Sequence, residues 1–312
     1  MNSDLCKSDY PYKLKKNNFS FSKKDAIGML NNFLVILFVT FLFIFIKNNK
    51  NKNYLYVSLL CLFIFIIRIY RKPIGIIFMV SSLITLVTRT PEFLDKDKYF
   101  PNNYLFEKPE NFEILKKEVV SILSKTDNGD TLKMAGDTYN NENKQVGSHK
   151  INVNGKIKAW RFINIKIGKE CTKDANNHFP YLVKLLEELP EVTNCAISVL
   201  PEGIRIPIHT GYYKGIMRYM IPIIVPKDRD NVFLCVNEKK YNWTEGKGVL
   251  WDDNYPHKVY NNTKEMRVVI YMDVIRPLCG IANYLNKQFI NLICNSKIIK
   301  DEIKNTEIQI KI

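Results

Sequence analysis

From Pro190 onward, the chain consists of short segments rich in β-branched and aromatic residues, separated by turn residues. The segments include VTNCAISVL, GIMRYMIPIIV and MRVVIYMDVI, and the turns include Pro-Glu-Gly and Glu-Gly-Lys-Gly. Many short strands at regular spacing are typical of a sandwich, a jelly roll or a barrel. The pattern therefore predicts a mainly β domain in the C-terminal part of the chain.

Helices are predicted on both sides of this β region. Residues 110–124 and 179–189 have apolar residues at helical spacing, and a further amphipathic helix is predicted at about 281–295, before a polar tail. Residues 125–150 are rich in Asn, Gly, Asp and Lys, which is typical of a loop.

The N-terminal region is strongly hydrophobic. Residues 29–46 contain no charged side chain, and the apolar runs 54–67 and 73–88 follow. A core helix of a soluble protein has a polar face, which the first run lacks, and a helix that spans a bilayer needs about 20 apolar residues. We therefore predict a membrane region of two or three helices over 29–88, after a basic segment at 1–28.

The formal net charge is +15, and much of it lies near the hydrophobic region, at Lys13, Lys15, Lys16, Lys23 and Lys24. This location favours an anionic membrane surface as the partner. Zinc-finger spacing and RNA-binding aromatic signatures are absent from the sequence, which argues against nucleic acid. Basic residues also occur in both loops between the apolar runs, so the charges do not predict an orientation.

Residues 89–108 are polar and interrupted by prolines, which predicts a linker before a domain over 109–312. The seven cysteines are scattered and form no CxxC pair, so neither a zinc site nor a thioredoxin-like motif is expected. Most of them are interpreted as small buried apolar residues, with one disulfide left open. Sequons at Asn242 and Asn261 permit a lumenal location.

Two of the four histidines occur beside predicted strands. His209 follows a strand in IRIPIHTG, and His257 begins one in WDDNYPHKVY. A neutral imidazole provides a nitrogen lone pair that suits Fe(II), Zn(II) or Cu(II), although two histidines alone are a weak metal signal. His149, in the polar loop, and His178, before the helix at 179–189, are interpreted as exposed or structural residues.

Two arginines lie inside apolar strands: Arg267, ten residues after His257, and Arg218 in GIMRYMIPI. A buried guanidinium is costly unless it meets an anion, and its planar fork matches a carboxylate with two hydrogen bonds. A dicarboxylate ligand is one such anion. A structural salt bridge, or an orientation away from the core, is the alternative.

These elements occur together in NCAISVLPEGIRIPIHTGYYKGIMRYMIPIIVP and YNWTEGKGVLWDDNYPHKVYNNTKEMRVVIYMDVIRP. Their order and spacing resemble the aspartyl/asparaginyl β-hydroxylase family: a serine, HTG or HxD, an arginine strand, the motif W/F-D-D/E-x-x-x-H, and an arginine ten residues later. The resemblance covers residues 157–277. It implies a double-stranded β-helix (jelly roll) with flanking helices over that core, and dependence on Fe(II), 2-oxoglutarate and O2.

By resemblance, His209 and His257 would be the iron ligands. Arg267, with Ser198 beside it, would bind the distal carboxylate of 2-oxoglutarate. Arg218 would approach the other end of this cosubstrate.

By the same resemblance, Trp160 would line the cosubstrate pocket, and Asp252 and Asp253 would hold the turn before the second histidine rather than bind metal. Two positions depart from the common pattern. Gly211 stands where most oxygenases of the wider class have a third, carboxylate ligand, and this matches the peptide-hydroxylating branch. Met220 stands where family members usually have a histidine, and methionine cannot donate a hydrogen bond to a carboxylate.

The resemblance implies a membrane-anchored dioxygenase that hydroxylates Asp or Asn side chains of a polypeptide. One alternative is hydroxylation of a lipid acyl chain, which the membrane region supports. Another is a non-catalytic binding protein on a degenerate oxygenase fold, for which Met220 is the main support. The substrate, the side of the membrane and the oligomeric state are left open by the sequence.

Overall fold

The computed structural model describes residues 6, 23–47, 52–71, 74–130, 132, 134, 151–153, 156–306 and 310. His149, Lys13, Lys15 and Lys16 lie outside the described residues. The chain divides into two compact units. The larger contains Cys6 and residues 90–210 and 216–312, and the smaller contains the hydrophobic region up to Arg89 together with 211–215.

The smaller unit contains three helices: α1 (Lys23–Lys47), α2 (Asn53–Arg71) and α3 (Ile74–Val87). Ala26–Lys47 and Asn53–Tyr70 are long and apolar enough to cross a membrane. Helix α3 has 14 residues. At 1.5 Å per residue it extends about 21 Å, which is short of the roughly 30 Å hydrocarbon layer. Length and composition therefore give two candidate spans.

Polar side chains join these apolar helices. Asn32 Nδ2 donates to Ser82 Oγ at 2.9 Å, and Arg68 Nε donates to Asn31 Oδ1 at 2.9 Å. Gly28 lies so close to α3 that an added Cβ would be 2.1 Å from the carbonyl oxygen of Phe78. Small residues at the contact and hydrogen bonds between apolar helices are the features that hold helices together in a bilayer.

The larger unit is built on two antiparallel sheets. The sheet order is β1-β11-β8-β13-β6-β4-β5 in the seven-stranded sheet and β10-β9-β12-β7 in the four-stranded sheet. The strands are β1 (Phe93–Leu94), β2 (Ile151–Val153), β3 (Lys156–Lys158), β4 (Arg161–Ile167), β5 (Glu170–Cys171), β6 (Val192–Leu200), β7 (Arg205–His209), β8 (Ile216–Ile224), β9 (Val232–Val236), β10 (Lys239–Asn242), β11 (Val249–Trp251), β12 (His257–Asn261) and β13 (Arg267–Ile275). From β6 to β13 the chain passes from one sheet to the other at every connection except the β9–β10 hairpin. This is the double-stranded β-helix that the family resemblance implied. Strands β2 and β3 form a separate hairpin.

Strand alternation separates two cores. Val269 and Trp251 belong to a cluster with residues of β9 and β12, so this core lies between the two sheets. Ile270 and Ile197, which point to the opposite face, pack with Leu115 of a helix instead. Each strand therefore presents alternate side chains to the interior of the barrel and to the helical layer.

The helices of the larger unit are α4 (Lys96–Tyr99), α5 (Tyr104–Glu107), α6 (Pro109–Lys125), α7 (Lys173–His178), α8 (Pro180–Glu187), α9 (Gly280–Cys294) and α10 (Lys297–Asn305), with a 3₁₀ turn at Pro101–Asn103. Helices α6, α8 and α9 match the three amphipathic helices expected from apolar spacing. Proline stands in the first turn of α6 and α8, where its missing N–H has no intrahelical partner to lose. The polar tail after 295 contains the additional helix α10.

The segment 89–108 differs from the predicted linker. Strand β1 pairs with β11, and Phe100 and Phe106 are almost completely buried in the helical-side core. The Tyr219 ring contacts both phenylalanines, at ring-centroid distances of 5.2 and 6.2 Å. The prolines were interpreted as breaks between domains, whereas the apolar residues between them complete the core of the larger unit.

One disulfide joins Cys6 and Cys235, with a Cα–Cα distance of 5.5 Å. The two predicted sequons differ in accessibility. Asn261 is fully buried, and its amide donates to the carbonyls of Leu200, Pro201 and Glu265. Asn242 is partly exposed at the end of β10. A glycan is therefore compatible with the fold at Asn242 and incompatible with it at Asn261.

Candidate active site

His209 and His257 meet at the mouth of the barrel. His209 ends β7 and His257 begins β12, and the two residues are partners in the antiparallel register. Their ring centroids are 4.0 Å apart, with the planes at 59°. Residues that are 48 positions apart in sequence thus lie side by side because β7 and β12 are neighbours in the four-stranded sheet.

Both imidazoles are held in the same tautomer by the backbone. Nδ1 of His209 is 2.8 Å from the carbonyl oxygen of Pro207, and Nδ1 of His257 is 2.9 Å from that of Tyr255. A carbonyl oxygen can only accept, so Nδ1 carries the proton and the lone pair is at Nε2. A hydrogen bond from the second ring nitrogen is the usual way in which proteins orient a metal-binding histidine.

The histidine pair fits a metal ion with two protein ligands. Trp251 packs edge-on against His257 at a centroid distance of 4.6 Å and restricts the rotation of its ring. Among the residues that the structure describes, no group of three or more His, Cys, Asp or Glu side chains has a metal-binding arrangement. A metal held here would have several coordination positions for other ligands.

Arg267 is a buried cation on the inner face of β13. The residue is 1% exposed, and its guanidinium lies over the Trp243 ring at 5.4 Å. Its one hydrogen bond, to Ser198 Oγ, is long at 3.4 Å, and Nε has no partner. Within the described parts of the chain no Asp or Glu forms an ion pair with it. Burial lowers the pKa of Arg267 to about 9.

A guanidinium in such an environment is suited to bind an anion, and the described residues provide no carboxylate for it. Ser198 lies beside it on β6 and accepts a hydrogen bond from Trp160 Nε1 at 2.8 Å. Since the serine hydroxyl accepts from Trp160, its own proton is available to a carboxylate. Trp160, Ser198 and Arg267 therefore form a contiguous polar patch beside an otherwise apolar core.

Arg218 has a different environment from Arg267. Its guanidinium donates to Asp273 Oδ1 at 2.8 and 3.0 Å and lies 3.4 Å from Asp253 Oδ2. Burial by itself would lower the pKa of Arg218, but Asp273 and Asp253 outweigh this effect and raise it. The ring of Tyr271 packs against the guanidinium at 4.9 Å. Arg218 is thus neutralised by two carboxylates, which is the structural salt bridge that the sequence left open as the alternative to a ligand.

The turn before His257 is fixed by a buried ion pair. Asp252 pairs with Arg276 at 2.9 Å, accepts from Thr90 Oγ1 at 2.9 Å, and caps the turn by accepting from the Asn254 backbone N–H at 3.2 Å. Tyr255, whose carbonyl orients His257, donates its hydroxyl to the Thr90 carbonyl at 2.7 Å. Through these contacts Asp252 and Tyr255 fix the turn before His257.

Two neighbours of the site were missed from the sequence. Arg276 lies in an unremarkable Arg-Pro pair after β13, and Trp243 lies in a polar stretch, so neither has a local signal. Both become evident only from their contacts with Asp252 and with Arg267. Met220, on β8, packs against the same inner core. His178 ends α7 and is partly exposed.

A profile of the aspartyl/asparaginyl β-hydroxylase family matches residues 109–277, which is more than half of the chain. The chain belongs to this family. The match contains every residue of the site described above except Thr90.

Two curated relatives match over shorter regions. The ornithine lipid ester-linked acyl 2-hydroxylase of Rhizobium tropici is 32% identical over 120 residues, which are 38% of this chain and 43% of that protein. The aspartyl/asparaginyl β-hydroxylase of Homo sapiens is 31% identical over 103 residues, which are 31% of this chain and 13% of that protein. The matched region therefore spans less than half the length of each relative.

Two solved structures are similar to the chain with low TM-scores and low sequence identity. A prolyl-4-hydroxylase from Pseudomonas putida has a TM-score of 0.33 and 11% identity, covering 53% of this chain and 87% of that one. An oxidoreductase of the 2OG-Fe(II) oxygenase family from Burkholderia pseudomallei has a TM-score of 0.29 and 11% identity, covering 42% of this chain and 74% of that one.

Proposed function

We propose that this chain is an Fe(II)- and 2-oxoglutarate-dependent dioxygenase that hydroxylates a C–H bond. The observation that supports this proposal best is Arg267, a fully buried cation beside Ser198 with no carboxylate partner among the described residues. A buried charge is kept without a partner only where a ligand provides the counter-charge. The distal carboxylate of 2-oxoglutarate has the charge and the two-oxygen geometry that the guanidinium fork requires.

The histidine pair would hold the iron. His209 and His257 present Nε2 lone pairs from adjacent strands, and imidazole nitrogen is a suitable donor for Fe(II). When bound, Fe(II) supplies the O2 chemistry of the hydroxylation. The protein fixes the two rings through the Pro207 and Tyr255 carbonyls, excludes water with Trp251 and Trp243, and orients the cosubstrate carboxylate through Arg267.

The substrate class is the finer part of the proposal. The sequence favoured Asp or Asn side chains of a polypeptide, because of Gly211. The two apolar helices long enough to span a membrane, and the similarity to an acyl hydroxylase, favour the alternative, a lipid acyl chain.

Membrane anchoring through α1 and α2 is part of this proposal. A non-catalytic role is less well supported. Loss of catalysis would remove the need for a buried unpaired arginine and for two orientated imidazoles, and all three remain. Met220 would weaken cosubstrate binding by the loss of one hydrogen-bond donor, without removing the charge that Arg267 provides.

The test is anaerobic binding of Fe(II) and 2-oxoglutarate to the full chain in detergent, followed by succinate release when O2 is added. We expect binding and slow succinate formation in the wild type, and loss of both in His257→Ala. His178→Ala is the matched control, because His178 ends α7 on the helical side, and it should behave as the wild type. A folded protein that binds no iron would refute the oxygenase.

The substrate is tested separately with an acyl lipid and with Asp- and Asn-containing peptides. Mass spectrometry of each substrate would detect the addition of one oxygen atom. We expect oxygen in the acyl chain. Oxygen in the peptide alone would restore the substrate that the sequence favoured.

A further inference from the structure

The Cys6–Cys235 disulfide connects two distant parts of the larger unit. The two cysteines are 229 residues apart, and both are almost fully buried, in a cluster with Phe233 and Tyr260. Cys235 lies in the middle of β9, where its register partner on β12 is Lys258, next to His257. Cys6 is thus covalently attached to β9, the strand beside the one that begins with His257.

The chain between these cysteines contains the hydrophobic region. Helices α1 and α2 are long enough to cross a membrane, and α3 is too short. Two cysteines can form a disulfide only if they are on the same side of a membrane. The chain must therefore cross the membrane an even number of times between them, and the count of two spans agrees with this requirement independently.

The disulfide also indicates which side of the membrane holds both cysteines. Structural disulfides form and persist in oxidising compartments, whereas the cytosol keeps thiols reduced. Joining two thiols releases two protons and two electrons, and a thiol–disulfide oxidoreductase of the compartment would accept the electrons. The sequon at Asn242, which is partly exposed, is compatible with such a location.

We infer that α1 and α2 form a membrane hairpin closed by the Cys6–Cys235 disulfide, with the N-terminal segment and the oxygenase domain together on the oxidising side. The short connection between the two spans, which contains Lys50 and Lys52, then faces the cytoplasm. A basic cytoplasmic connection agrees with the positive-inside rule. This inference rests on the proposed membrane anchoring and is independent of the proposed oxygenase chemistry.

The experiment uses the full chain with the recognition sequence of a site-specific protease inserted between Asn49 and Lys50, in sealed membrane vesicles whose cytoplasmic face is outward. The protease added outside should cut the chain without detergent. Thiols are then alkylated, and the two fragments are compared on gels with and without reductant. We expect the fragments to stay joined without reductant and to separate with it.

Three results would overturn the inference. Cleavage only after detergent would place the connection on the other side of the membrane. Separation of the fragments without reductant would show that Cys6 and Cys235 are not joined. Digestion of the oxygenase domain by a general protease added outside would place that domain in the cytoplasm. The two fragments of the Cys6→Ser variant should separate without reductant. The fragments of Cys279→Ser, which changes an exposed free cysteine, should stay joined.

Succinate formation by the same preparations is a separate measurement. Its absence would count against the oxygenase and leave the disulfide result unchanged.

Discussion

Arg267 leads to a prediction in which stability and ligand binding change in opposite directions. The substitution Arg267→Met keeps a side chain of similar length and removes a buried charge. Because burial lowers the pKa of Arg267 to about 9, the burial cost is about 5 kcal/mol, at about 1.4 kcal/mol per pH unit.

Two contacts offset part of that cost. The Trp243 ring contributes up to about 2 kcal/mol through its cation–π contact, and the long hydrogen bond to Ser198 about 1 kcal/mol. Removing the charge without ligand should therefore stabilise the protein by about 2 kcal/mol. For a domain of this size, 1 kcal/mol changes Tm by about 2–4 °C, so we expect an increase of about 4–8 °C.

Binding of 2-oxoglutarate should change in the other direction. A charge-assisted hydrogen bond contributes up to about 3 kcal/mol to binding. Arg267→Met should therefore weaken the affinity for 2-oxoglutarate by roughly a hundredfold. Isothermal titration under anaerobic conditions measures the affinity. Thermal unfolding of the full chain in detergent, with and without 2-oxoglutarate, measures the stability.

Arg276→Met is the matched control. Arg276 is equally buried, but it pairs with Asp252 at 2.9 Å. Removing one partner of a buried ion pair leaves the other charge unpaired and costs about 3–5 kcal/mol. We expect Arg276→Met to lower Tm where Arg267→Met raises it. A similar fall in Tm for both variants, without ligand, would refute the assignment of Arg267 as a ligand-binding residue.

The remaining predictions concern the same domain. Met220→His should lower the KM for 2-oxoglutarate about threefold to tenfold by adding a donor, with Met220→Leu as the control, and unchanged steady-state kinetics would contradict it. Trp160→Phe removes the hydrogen bond to Ser198 and should raise the same KM about threefold to tenfold with little change in kcat; an effect on kcat alone would count against this role. Asn261→Ala leaves the buried carbonyls of Leu200 and Pro201 without the donor that Asn261 provides and should lower the free energy of unfolding by about 2–4 kcal/mol, measured by denaturant unfolding. The control Asn262→Ala changes one exposed hydrogen bond to Arg205, and equal losses in both variants would argue against the buried network.

The mainly β character of the domain could be predicted because its signal is local. Each strand alternates between two apolar faces, one toward the interior of the barrel and one toward the helices, so strands such as β6 and β13 are apolar along most of their length. Turn residues mark the strand ends. The resemblance to a known family, based on the order of the motif residues, implied the double-stranded β-helix and singled out His209, His257 and Arg267.

The connections between distant segments could not be predicted in this way. Residues 89–108 are polar and interrupted by prolines, which is typical of a linker, yet Phe100 and Phe106 fill the core on the helical side. The Cys6–Cys235 pair has no spacing that distinguishes it from the other cysteines. Contacts of this kind depend on which surfaces the folded domain leaves uncovered.

The two arginines of the site show where sequence reasoning ends. Arg218 and Arg267 both follow a methionine and both lie inside apolar strands, so the sequence by itself determined only that each needs a negative partner. The tertiary structure decided that Arg218 finds this partner within the chain, because β13 places Asp273 opposite it and the turn before β12 brings Asp253 close. No carboxylate among the described residues pairs with Arg267. The charge of a guanidinium is a local property, whereas its neutralisation depends on the strands that pack against it.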